Sequence, residues 1–143
     1  MTDPWSQRVV ARFSRSADRY DGAARLQRAM ARQLAERCRR QPIPRGLWVD
    51  LGSGTGLLAD DLERLHPGQR VLRLDGSDAM LRRHAPTAQT SCVDLNQPLP
   101  TWSSAPVLLS SSFVLHWLSE PTRCLQHWFE QLGQGGWLVV AVP

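Results

Sequence analysis

Leu47-Trp48-Val49-Asp50-Leu51-Gly52-Ser53-Gly54-Thr55-Gly56 is an apolar run that meets an acid and then a glycine-rich turn. Leu57-Leu58-Ala59-Asp60-Asp61-Leu62-Glu63-Arg64-Leu65 follows, with apolar residues at 58, 62 and 65, the spacing of one helix face. The reading is strand, glycine turn, helix. An α/β sheet builds a nucleotide pocket in this way, at the carboxyl end of a strand. Glycine is needed where the backbone turns sharply and comes close to a ligand. The dinucleotide fingerprint G-x-G-x-x-G would require glycine at 57, where Leu57 stands. The pattern is instead G-x-G-x-G, with Asp50 two residues before the first glycine.

Working outward, residues 70–75 read as a second strand with Asp75 at its carboxyl end. An acid about 20 residues beyond such a turn can accept hydrogen bonds from ribose hydroxyls. Ser77 caps the helix expected to start at Gly76-Ser77-Asp78. Residues 89–95 read as a third strand that closes on Asp94, residues 106–111 as a fourth and residues 137–142 as a fifth. Ser119 is the expected cap of a helix that aligns Cys124, Leu125, Trp128, Phe129 and Leu132 and ends at Gly133. Strands and helices in alternation imply parallel strands joined by helical crossovers. Upstream, Val9, Val10 and Phe13 mark a short amphipathic helix. Asp21 can cap a second one that runs to about Arg40 through Leu26, Met30 and Leu34.

The chain's 143 residues suit one domain with a real core. Its hydrophobic fraction is 42% and its charged fraction 21%, as in ordinary globular chains. No apolar run is long enough to span a membrane, and the amino terminus lacks the apolar stretch of a signal peptide. Cys38, Cys92 and Cys124 are odd in number and far apart, which suggests neither a disulfide framework nor a metal site. A reducing cytoplasmic location is the expectation. All 17 basic residues are arginine, and the net charge is +4. Such a surface suits an acidic partner, an acyl carrier protein or a nucleic acid, and is equally compatible with none.

Asp50 with Gly52, Ser53, Gly54 and Gly56 looks like motif I of the class I methyltransferases that use S-adenosylmethionine. The resemblance implies that Asp50 lies near the methionine ammonium and that the glycine loop passes close to the cofactor. Leu74-Asp75-Gly76-Ser77-Asp78-Ala79-Met80-Leu81 resembles the family's next motif, whose first acid binds ribose. By the same resemblance Asp94 receives the adenine amino group, a donor that an acceptor-only carboxylate suits. Met80 and Leu95 either flank the adenine or belong to the core. Ser111-Ser112-Phe113-Val114-Leu115-His116-Trp117-Leu118 resembles the family's Ser-Asn-x-x-x-Gln/His-Trp segment, which places Ser111 with the cofactor. His116 is then a base or polar anchor for the methyl acceptor, or else a helix histidine satisfied by a neighbour, and Trp117 reads as core. Ala105-Pro106 stands where the family usually has an aspartate.

Phe13-Ser14-Arg15-Ser16-Ala17-Asp18-Arg19-Tyr20-Asp21, followed by Ala24-Arg25-Leu26-Gln27, resembles one branch of that family, the malonyl-acyl-carrier-protein O-methyltransferases of biotin synthesis. Trans-aconitate and quinone methyltransferases share much of the core. The expected architecture is therefore an α/β, Rossmann-like methyltransferase core over residues 46–143, with five strands in a mostly parallel sheet. Residues 1–45 are expected to form a helical lid segment, with Tyr20 facing the cofactor or the substrate or else simply packing, as the remaining residues of a pair of amino-terminal helices would. The expected cofactor is S-adenosylmethionine, without a metal, and the expected partner is an acyl carrier protein bearing a malonyl group, with no membrane. Asn-Pro-Pro-Tyr, typical of amino-methylating enzymes, is absent after the fourth strand, so a nucleic-acid partner is not expected. A carboxylate acceptor is already ionised at neutral pH and needs no general base. A full member of the family carries two further strands beyond the fifth, and these are missing here. The fifth strand is then an exposed edge open to self-association, and a non-catalytic cofactor-binding or partner subunit is the alternative to an active enzyme.

Overall fold

A computed structural model of the chain describes residues 3–11 and 25–143. Tyr20, Phe13 and the capping Asp21 lie outside the described residues. Five strands form one sheet: β1 (Trp48–Leu51), β2 (Val71–Asp75), β3 (Gln89–Cys92), β4 (Leu108–Ser112) and β5 (Trp137–Ala141). Their order is β3-β2-β1-β4-β5, and every pairing is parallel. The described helices are α1 (residues 4–11), α2 (Arg25–Arg39), α3 (Leu57–Leu65), α4 (Asp78–Leu81) and α5 (Pro121–Gln131). A short 3-10 helix spans Leu115–Trp117.

The sheet grows outward from β1 to β2 and β3, then returns to the other side of β1 for β4 and β5. Where the winding reverses, the loops after β1 and β4 leave in opposite directions and open a crevice at the carboxyl ends of the strands. β1 lies at the centre, and all four of its residues are buried, Asp50 among them.

Each face of the sheet is covered by helices whose buried residues recur at helical spacing. On α2 these are Ala31, Leu34, Ala35 and Cys38, and on α3 they are Leu58, Ala59 and Leu62. Both helices pack with Trp48, Val71 and Leu108. The opposite face joins Val49, Leu51, Leu74 and Leu109 to Trp128 of α5. Strand alternation sends Trp48 and Val49 to opposite layers. The buried Trp48 indole donates to the Pro44 carbonyl at 2.9 Å.

Several expected boundaries move: the second strand starts at Val71, the fourth at Leu108, and the fifth ends at Ala141. β3 ends at Cys92, so Asp94 lies in the loop beyond it rather than in the strand. Its residues Gln89-Thr90-Ser91-Cys92 are all exposed, as suits a polar edge strand. α5 begins at Pro121 with Glu120 as its cap position, not Ser119. Proline favours the first helical turn, and the Ser119 hydroxyl is engaged by Asp3 at 2.6 Å. β4 runs to Ser112, one residue beyond the expectation. β5 forms the other edge of the sheet, as expected.

Candidate functional site

The glycine turn after β1 is the floor of the crevice. Gly52, Gly54 and Gly56 have φ values of 78°, 56° and 102°, the left-handed region that glycine enters without penalty. The amides of Gly52 and Ser53 both donate to the Leu74 carbonyl, at 2.8 and 2.9 Å, which ties the turn to the end of β2. A Cβ at Gly52 would lie 2.3 Å from Val114 Cγ2, so only glycine lets the loop after β4 close over the turn.

Asp75 ends β2 beside this turn. One of its carboxylate oxygens accepts from the Gly54 amide at 2.8 Å and the other from the Ser77 amide at 2.8 Å. A carboxylate offers about four lone-pair sites, so capacity for further donors remains. Burial pushes the Asp75 carboxyl up, against the pull of the Ser77 and Gly54 amides. Ser77 caps α4 as expected, its hydroxyl accepting from the Met80 amide at 3.3 Å.

Above the turn lies a cavity of about 490 Å³, within the range of small-molecule sites. Gly52, Gly54, Asp75, Gly76, Met80, Asp94 and Leu95 of the expected set line it. Asp94 Oδ1 accepts from the Asn96 amide at 3.0 Å. Asp94 Oδ2 is buried without a hydrogen-bond partner among the described residues. Leaving such an acceptor unpaired costs about 1–3 kcal/mol.

α1 lines one side of the cavity and adds Val9 and Val10 to its wall. A polar cluster pins it there. Asp3 accepts from the hydroxyls of Ser6 and Ser119, each at 2.6 Å, and the two bonds pull its carboxyl down to about 2. Asn96 donates to Ser6 Oγ and accepts from the Ser119 amide at 2.9 Å. The Trp5 indole donates to the Trp117 carbonyl at 3.2 Å.

Asp50 and Ser53 sit outside the main cavity and line an adjoining recess of about 30 Å³, together with Gly52, Gly54 and Ser112. Asp50 is 2% exposed and accepts from the Ser110 hydroxyl at 3.0 Å. Burial raises its carboxyl to about 7, although the Ser110 hydrogen bond and the Arg73 charge oppose the rise.

Gly56, Ser111 and His116 line neither space. Strand alternation turns Ser111 away from the recess that Ser112 reaches. His116 is exposed, beside the Trp117 ring at a centroid distance of 4.9 Å. Trp117, read from sequence as core, lines the cavity. Asn96, Ser112 and Cys92 also line it without having been singled out. Phe113, also in the lining, has φ 57°, uncommon for a residue with a side chain and typical of constrained functional loops.

Among the described residues, the cavity lining carries two carboxylates and no cation. It suits a ligand that brings hydroxyl and amino donors and positive charge, and it is poorly suited to a phosphate. Residues 49–140 match the family described as "Methyltransferase domain". The chain is 33% identical to malonyl-[acyl-carrier protein] O-methyltransferase of Laribacter hongkongensis, in a match covering 94% of this chain and 50% of that protein. It is 32% identical to trans-aconitate 2-methyltransferase of Delftia acidovorans, with 78% of this chain and 44% of that protein covered. The chain thus spans half or less of the length of these curated relatives. Among solved structures, the DhpI–SAH complex is similar in fold, with a TM-score of 0.78, 22% identity, and coverage of 99% of this chain and 71% of that one. The segment from β1 to β5, with both carboxylate loops inside it, belongs to the methyltransferase domain family.

Proposed function

We propose that the cavity binds S-adenosylmethionine and that the chain is the cofactor-binding part of a methyltransferase acting on a carboxylate acceptor. The observation that carries this reading is a cavity lined by two carboxylates, Asp75 and Asp94, and by no cation among its described residues. Asp94 would take the adenine amino group, and Asp75 the ribose hydroxyls through its remaining lone pairs. Met80 and Leu95 supply apolar surface for the base. The ligand's sulfonium and ammonium match the acidic surroundings, and Asp50 in the adjoining recess serves the amino-acid end.

When bound, the cofactor supplies an activated methyl group. The chain's own task is alignment and the exclusion of water. α1, pinned by Asp3, Ser6, Asn96 and Ser119, lines one side of the cavity, and the apolar side chains of Val9, Val10 and Phe113 keep its wall dry. No side chain has to remove a proton from a carboxylate at neutral pH. The exposed His116 is therefore assigned no proton transfer.

For the acceptor we propose the free carboxylate of a malonyl group on an acyl carrier protein. What supports this is the relative whose match takes in 94% of the chain, the amino-terminal segment included. The trans-aconitate relative, also an enzyme for a carboxylate, covers 78%.

The test is calorimetric titration of the folded 143-residue chain with S-adenosylhomocysteine, followed by methyl transfer to malonyl- and acetyl-carrier protein. Saturable one-site binding, with transfer to the malonyl form alone, is the expected result. Absence of binding by a folded sample refutes the cofactor assignment. Transfer to trans-aconitate but not to malonyl-carrier protein refutes the acceptor.

A further inference from the structure

Arg73 lies in the middle of β2, yet it is 2% exposed. Its guanidinium is held from two directions. Nη1 donates to Asp60 Oδ1 at 2.6 Å, and Nη2 lies 3.2 Å from Glu63 Oε1, both acids on α3. Nη1 also donates to His84 Nδ1 at 3.0 Å. The second ring nitrogen of His84, Nε2, stands 2.8 Å from the Gly54 carbonyl oxygen. Neither Arg73 nor His84 lines the cavity.

The chemistry of the donors settles the direction of each bond. Arginine has five N–H groups and no acceptor, and it keeps its charge. His84 Nδ1 must therefore accept. In the neutral ring the proton then sits on Nε2, where it donates to the Gly54 carbonyl. Gly54 is gripped on both sides, its amide by Asp75 and its carbonyl by His84. The two residues also explain Gly56, because a Cβ there would lie 2.9 Å from the His84 ring and 3.0 Å from Arg73 Nη1.

We propose that Arg73 and His84 are positioning residues for the cofactor, a relay from the acids of α3 that sets the Gly54 carbonyl and with it the glycine turn. This rests on the cofactor reading of the cavity. The relay acts through Gly54, which lines the cavity and meets both His84 and Asp75. Its function depends on a single ring tautomer, and the substitution His84→Gln keeps a donor and an acceptor at the side chain's end. The amide nitrogen of glutamine can donate to Gly54 while its oxygen accepts from Arg73. Alanine reproduces neither.

The test uses the full chain, wild type, His84→Ala and His84→Gln, titrated with S-adenosylhomocysteine. Amide exchange at Gly54 and imidazole nitrogen shifts are recorded without ligand. Loss of the buried hydrogen bond to the Gly54 carbonyl, with that to Arg73, is expected to weaken His84→Ala binding about tenfold and to speed Gly54 exchange. His84→Gln should stay within about threefold of wild type. In the wild-type chain the nitrogen shifts should place the proton on Nε2. Unchanged affinity and exchange in His84→Ala overturns the relay, as does a His84→Gln variant as weak as alanine. The nitrogen shifts need no variant to fold, and a proton on Nδ1 of the neutral ring overturns the relay by itself. Failure of the wild-type chain to bind would refute the cofactor reading, while the nitrogen shifts and the exchange rates would still decide the relay.

Discussion

Replacing Asp50 with asparagine is expected to change how the chain's stability depends on pH. Asp50 is 2% exposed, and burial raises its carboxyl from 3.8 to about 7. Below pH 3.8 the group is protonated in both folded and unfolded chains and exerts no pH effect. Between 3.8 and about 7 the unfolded chain ionises it while the folded chain keeps the proton. The folded state then binds more protons, and stability falls as pH rises. At 1.36 kcal/mol per pH unit the whole window amounts to about 4 kcal/mol, of which about 3 kcal/mol is lost between pH 5 and pH 8. The asparagine side chain of Asp50→Asn cannot ionise, and its oxygen can still accept from the Ser110 hydroxyl. The stability difference between variant and wild type should therefore shift in the variant's favour by about 3 kcal/mol between those two pH values. Urea denaturation followed by tryptophan fluorescence measures it, since buried Trp48 and Trp128 report on both faces of the sheet. A difference that stays constant from pH 5 to pH 8 would refute the reasoning, because it would mean that Asp50 is ionised throughout.

Other perturbations probe the cavity directly. Asp94→Asn replaces a cavity-lining carboxylate with an amide that has one acceptor oxygen fewer for the proposed amino donor, and S-adenosylhomocysteine affinity should drop about tenfold or more in calorimetry. Gly52→Ala forces a side chain into φ 78° and against Val114 at 2.3 Å; a loss of about 1–3 kcal/mol is expected from chemical denaturation, together with weaker ligand binding. Cys92 is exposed at the cavity wall, whereas Cys38 is 2% exposed and burial lifts its thiol to about 11. Iodoacetamide should therefore label Cys92 well before Cys38, and ligand should slow that reaction, as peptide mass spectrometry would report.

The parts of the fold that were legible in the sequence are those set by local pattern. The glycine turn flanked by Asp50 and Leu57, the Ser77 cap and the alternation of strand and helix each follow from residues close together in the chain. Asp75 was placed from its offset to the turn, and the structure brings it to Gly54. The less legible features depend on contacts between distant segments. Ser119 looked like a helix cap until Asp3, 116 residues away, claimed its hydroxyl. Trp117 looked like core because a large aromatic ring ordinarily is; it lines the cavity, with α1 laid against its carbonyl.

Arg73 shows why pattern alone could not reach the relay. In Val71-Leu72-Arg73-Leu74-Asp75 an arginine among apolar residues looks like a solvent-facing position, since a charge is rarely buried without partners. Burial becomes tolerable only because α3 brings Asp60 and Glu63 to it, while the turn after α4 brings His84. Desolvating such a cation costs several kcal/mol before any partner is counted, and an apolar residue of similar volume would often serve packing as well. Stability by itself is therefore a weak reason for an arginine at this position. A fixed direction for the Gly54 carbonyl is a stronger one, because an apolar side chain could neither choose the His84 tautomer nor hold the glycine turn on which the proposed cofactor rests.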